Sequence, residues 1–221
     1  MKKLAVSLSL VLLVMVASSG ATLVTSIPGG VVIPMPVIPC GAPAYACFGA
    51  GPITFGPNIT WSSTNMYNQG GAVFGYNQGY LFGSNGSWDS AFVMAGVNSS
   101  NYYYGVSDSM TFAFAHPLYS VGGFLNYNPD FANTPTTIAV YDSGMTLIES
   151  YTLNFATGGG NDSGQFYGFT EKTADISYFT LTDNFVAVTN LTVVVPEPGS
   201  LLLIGTGLLA AFGYGRRRLG L

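Results

Sequence analysis

The chain has 221 residues, 48% hydrophobic and only 7% charged, with six Lys+Arg against ten Asp+Glu and a formal net charge of −4 at pH 7. Three of the six cations stand together at Arg216, Arg217 and Arg218, so residues 22–195 hold nine carboxylates against the single Lys172. Such a body repels phosphate backbones, which excludes nucleic-acid binding, and 14% aromatic residues argue against a disordered chain.

The first segment reads as an export signal. Lys2 and Lys3 precede an apolar run over residues 4–16, and Ser19 and Ala21 supply small residues at the −3 and −1 positions. A signal helix over residues 1–21, cleaved after Ala21, is predicted. Residues 22–57 form a Pro/Gly-rich lead-in with seven of the twelve prolines. Proline fixes φ and removes a donor, so this stretch is expected to be extended or edge structure, either a spacer or a strap over the next domain. Cys40 and Cys47 lie within it. In an exported chain an even cysteine count points to a disulfide between them, worth about 2.5 kcal/mol on the chain-entropy estimate.

Residues 58–195 suffice for one domain. Short apolar or aromatic runs at 72–76, 80–82, 91–97, 110–115, 120–127, 137–141, 145–153, 165–169, 176–181 and 185–195 are separated by turn residues. Asp142-Ser143-Gly144 marks a hairpin, and His116-Pro117 marks a strand end. Away from the two termini no window sustains helical periodicity over three turns. The reading is an all-β, antiparallel β-sandwich.

Candidate chemistry is sparse. His116 is the one histidine and hence the one candidate base for a nucleophilic triad. Nine acids will form pairs on any sandwich, so a glycosidase pair has no local motif behind it. The loop from Gly158 to Gly164 is flexible and rich in oxygen ligands, but Asp162 is its lone carboxylate, where calcium takes six to eight oxygens. A structural calcium ion is the one cofactor considered, and an ordinary loop is the alternative. Sugar recognition would need an exposed aromatic face with amides around it. Trp61, Trp88, Tyr102 and Tyr104 are the candidate platform, Tyr102 and Tyr104 sharing one face if their segment is a strand, while core packing is the ordinary use of such rings. Five Asn-X-Ser/Thr triplets start at Asn58, Asn85, Asn98, Asn161 and Asn190 and fit an exported polar surface.

Residues 196–221 carry the most specific pattern: Pro196-Glu197-Pro198, an apolar run, then Arg216, Arg217 and Arg218. Eighteen helical residues span about 27 Å against a hydrocarbon core of about 30 Å. Arginine is costly to translocate, so the cluster should stay cytoplasmic and the body should lie across the membrane. This three-part order resembles the PEP-CTERM sorting signal of Gram-negative bacteria, also described as an ice-binding protein C-terminal domain. The resemblance implies processing near Pro196–Pro198 by an exosortase, transient residence in the inner membrane, and delivery to the cell surface or an extracellular polysaccharide matrix. The body resembles the family's ectodomains less specifically, through Val121-Gly122-Gly123-Phe124, Tyr141-Asp142-Ser143-Gly144, Phe166-Tyr167-Gly168-Phe169 and Thr182-Asp183-Asn184-Phe185. That likeness implies a jelly-roll-like β-sandwich, similar in outline to carbohydrate-binding modules. The expected protein is a non-enzymatic structural or adhesive component of the envelope or exopolysaccharide. A carbohydrate-binding module is the alternative, and a secreted hydrolase the third reading.

Overall fold

The structure, a computed structural model, describes residues 20–38, 51–65, 71–97, 108–131, 135–183 and 185–196. Most of the expected signal helix, the transmembrane segment, Cys40, Cys47, Tyr102, Tyr104, Glu197, Pro198 and Arg216–Arg218 lie outside the described residues. Strands run in chain order as β1 (Thr22–Val24), β2 (Val31–Val32), β3 (Ile53–Phe55), β4 (Ile59–Ser63), β5 (Ala72–Tyr76), β6 (Tyr80–Leu81), β7 (Ser87–Trp88), β8 (Met94–Val97), β9 (Asp108–Leu118), β10 (Ser120–Tyr127), β11 (Thr137–Tyr141), β12 (Leu147–Thr152), β13 (Gln165–Thr170), β14 (Ile176–Asp183) and β15 (Val186–Val194). Among the described residues no helix is long and apolar enough to cross a membrane.

Two antiparallel sheets face each other. One has the order β1-β13-β10-β15-β8-β5, with β2 added beside β15. The other has the order β12-β11-β14-β9-β4-β3. Side chains alternate between the faces of a strand, so Met110 and Phe112 of β9, Ile138 and Val140 of β11, and Phe179 and Leu181 of β14 meet in the core between the sheets. The all-β antiparallel sandwich expected from the turn spacing is the fold observed.

The lead-in is part of that sandwich. β1 closes one edge of the first sheet against β13, β2 pairs with the last turns of β15, and β3 forms an outer strand of the second sheet. Between them Ile33 and Met35 are buried in the main core. The Ile33 N–H donates to the Leu191 carbonyl at 2.7 Å and the Ile38 N–H to the Gly75 carbonyl at 2.9 Å. Gly75 has φ +70°, and a Cβ there would collide with the Pro36 carbonyl, so glycine lets the strap cross at this point. The sandwich therefore begins at β1 rather than at residue 58.

A third, small layer covers the outer face of the first sheet. The β6–β7 hairpin and the turn that follows it bury Phe82, Trp88, Met94 and Ala187 as a second apolar cluster. This explains why β15 is buried almost throughout: Val186 and Val188 face the main core while Ala187 faces the second. A β-bulge then resets the alternation. Gly122 pairs with Thr192 but Phe124 pairs with Thr189, so β15 holds one extra residue there. Asn190 takes φ +52° at that point. The added residue flips parity, and Leu191 and Val193 face the core in their turn.

β9 runs through His116 and Pro117 to Leu118, past the expected stop. Its register jumps from Tyr178↔Ala113 to Ile176↔Leu118, so the proline sits in a bulged stretch where no ladder donor is needed.

Candidate functional site

The expected tryptophan platform is not at the surface. Trp61 projects from β4 into the core, 0% exposed, with its ring 5.2 Å from that of Phe74 on the facing sheet. Trp88 is 1% exposed, stacked 5.3 Å from Phe92 and 5.7 Å from Phe124, with Phe82 edge-on at 5.0 Å. A sugar needs one open ring face, and neither indole has one. The reason is the layering: one slot lies between the sheets and another between the first sheet and the β6–β7 layer, and the largest apolar rings fill them. Tyr76 and Tyr80 lie beside the second slot with ring centroids 6.3 Å apart, and desolvation, aided by Tyr76, pushes the Tyr80 hydroxyl above its ordinary range.

A cleft of about 280 Å³ opens where β8 has not yet begun and the strap runs alongside β15. Ile33, Pro34 and Met35 form one wall and Ala91, Phe92 and Val93 the other, with Thr189 and Asn190 at the base. Each wall is fixed by local chemistry. Asp89 makes an Asx turn: its Oδ1 accepts the Ala91 N–H at 2.7 Å and its carbonyl accepts the Phe92 N–H at 3.3 Å. The Thr189 hydroxyl donates to the Val93 carbonyl at 2.8 Å. Phe92 is partly exposed and backed by the Trp88–Phe124 stack. Asn190, exposed and left-handed at the bulge, lines the cleft. Among the described residues that line it, none is ionisable. The cleft thus offers apolar contact, one aromatic ring and one amide, which suits a neutral polar ring more than a charged substrate. The sequence marks Asn190 only as the start of an Asn-X-Thr triplet, yet a signal for the cleft is present: Val186 and Val188 against Leu191 and Val193 is a broken alternation with Asn190 at the break.

The glycine-rich loop is hydrogen-bonded to β7 and the residue after it. Asp162 Oδ1 accepts the Asp89 N–H at 3.0 Å, the Asp162 N–H donates to the Ser87 carbonyl at 2.7 Å, and the Ser87 hydroxyl donates to Asn161 Oδ1 at 3.0 Å. These bonds latch the loop to β7. Among the described residues no three His, Cys, Asp or Glu side chains gather around a common point. His116 is exposed on the bulged end of β9.

Asn85 is fully buried rather than a surface acceptor. Its Nδ2 donates to the Tyr127 and Phe155 carbonyls at 3.1 and 3.3 Å, and its Oδ1 accepts the Thr157 N–H at 3.1 Å. The Asn126 side chain and the Thr157 hydroxyl donate to its carbonyl at 3.0 and 2.8 Å. Asn85 thereby ties its own loop and the loop after β12 to the last residues of β10, forming a crown at that end of the sandwich.

No curated protein matches the chain. Among solved structures it is similar to the lectin domain of lectinolysin complexed with Lewis B antigen, at 9% identity and a TM-score of 0.37, covering 62% of this chain and 92% of that one. It is also similar to a Streptococcus pneumoniae fucose binding module, at 10% identity and a TM-score of 0.37, covering 62% of this chain and 90% of that one. Beyond β15 the chain enters the segment that the sequence marked by its proline pair and arginine cluster. Residues 194–218 match the family model described as the PEP-CTERM protein-sorting motif, and the chain is therefore a protein with a PEP-CTERM sorting signal.

Proposed function

We propose that this is an exported structural or adhesive protein whose sandwich is held by one rim at the membrane and points its opposite crown outward, before an exosortase releases it to the surface or matrix. The supporting observation is a row of ladder partners. Thr22 pairs with Thr170, Thr170 with Ser120, and Ser120 with Val194. The first and last strands of the body thus meet the same rim, three strand spacings or about 14 Å apart. The export segment precedes Thr22 and the sorting signal follows Val194, so both membrane-directed ends leave on one side. The loops joining β10 to β11 and β12 to β13, with the Asn85 crown, lie at the other end.

An Ala156→Cys variant tests this, since Ala156 is exposed at the crown. In intact cells the introduced thiol is expected to react with a membrane-impermeant maleimide to the same extent as in lysed cells. Reaction only after lysis would place the body in the cytosol and end the proposal.

The cleft supports a second reading, a carbohydrate contact, because Phe92 and Asn190 place an aromatic ring and an amide on one apolar groove. Asn190→Gly removes the amide while glycine keeps φ +52° without strain. The variant should therefore stay within about 0.5 kcal/mol of the parent in stability and lose at least tenfold in affinity for any neutral oligosaccharide the parent binds on a glycan array. An array on which the parent binds nothing would remove this reading and leave the first intact.

A further inference from the structure

We propose that the mature protein begins at Gly20, two residues before the point that small-residue spacing alone favours, and that its new α-ammonium pairs with the Glu149 carboxylate. The inference rests on the export reading. Residues 17–21 read Ala-Ser-Ser-Gly-Ala, so small residues occupy −3 and −1 for cleavage after Ser19, after Gly20 or after Ala21. The spacing permits all three bonds, of which the one after Ala21 is the sequence expectation; the fold favours another. Ala21 is 7% exposed and belongs to the main core, directly ahead of β1. Cleavage after Ala21 would discard a core methyl group and start the chain on the exposed first residue of an edge strand.

Gly20 is exposed and lies against β12 of the second sheet, where a Cβ built on it would stand 3.7 Å from Glu149 Oε2. Glu149 Oε1 accepts the Ser150 N–H at 3.0 Å, and Oε2 is the oxygen turned toward Gly20. Hydrolysis of the Ser19–Gly20 bond by a signal peptidase adds one water, leaving a carboxylate on Ser19 and an ammonium on Gly20, the residue that faces that oxygen. In a body whose sole Lys or Arg is Lys172, the ammonium is a second cation, and it joins the edge of the first sheet to β12 of the second. An opposite charge at this range favours the charged form of the ammonium.

The test is N-terminal sequencing of the product that a Gram-negative host exports from the full chain. Gly-Ala-Thr-Leu is the expected start. Ala-Thr-Leu or Thr-Leu-Val on exported material would overturn the inference while leaving export standing, and a chain still beginning at Met1 would overturn both. On material starting at Gly20, acylation of the α-amine near pH 8 should run about two- to fivefold faster in Glu149→Gln than in the parent, because loss of the carboxylate lowers the ammonium pKa. Equal rates would rule out the ion pair.

Discussion

Trp61→Ala is expected to lower the stability of the sandwich by about 3–5 kcal/mol, which at this size is a fall in Tm of roughly 6–20 °C. The indole is fully buried, and it faces Phe74 across the sheets while Phe74 lies 4.9 Å from Phe55. Truncation opens a cavity that three different strands line, and β-sheet backbones cannot collapse into it without breaking ladder bonds. Trp61→Phe should cost less than half as much. It keeps a ring in the slot and removes a buried Nε1 that has no hydrogen-bond partner among the described residues, a group whose burial is itself unfavourable by about 1–3 kcal/mol. Thermal unfolding of the purified body measures both. A Trp61→Ala protein with an unchanged Tm would mean that the indole is not a core group and would return it to the list of surface platforms.

Neutralising Arg216, Arg217 and Arg218 to glutamine is expected to abolish normal retention and processing of the tail. Each arginine at the end of an apolar segment opposes translocation by a few kcal/mol, and removing three leaves a short, glycine-containing run with nothing to fix its orientation. The precursor should slip through the membrane or stay uncut, seen as a change in both the fraction that holds it and its intact mass. A triple variant processed like the parent would show that the cluster does not act as the stop.

The strands were legible because their signals are local. Residues 72–76, 120–127 and 137–141 read as short apolar or aromatic runs between turn residues, and β5, β10 and β11 occupy those spans. The hairpin after β11 was legible in kind but not in detail. Asp142 Oδ1 accepts the N–H groups of Gly144 and Thr146, both at 2.8 Å, yet Met145 rather than Gly144 takes the left-handed conformation, at φ +60°. What sequence could not supply was the layering. Whether Trp88 faces water or protein depends on the β6–β7 hairpin folding back over the first sheet, a contact between residues far apart in the chain. The strap was ambiguous for the same reason, since Pro34 and Pro36 show extended backbone but not that Ile33 and Met35 turn inward. Of the candidate site, the sorting signal was read whole because it is contiguous. The cleft was missed because Phe92, Met35 and Asn190 come from three separate stretches.

We propose that the acidic sandwich is carried across the membrane and detached from a cationic tail. Intact-mass measurement on fractionated cells tests it most directly. The body should be recovered from the envelope or extracellular fraction, at a mass lacking Arg216–Arg218 and the leader. Recovery of the whole 221-residue chain from the cytosol would contradict the account.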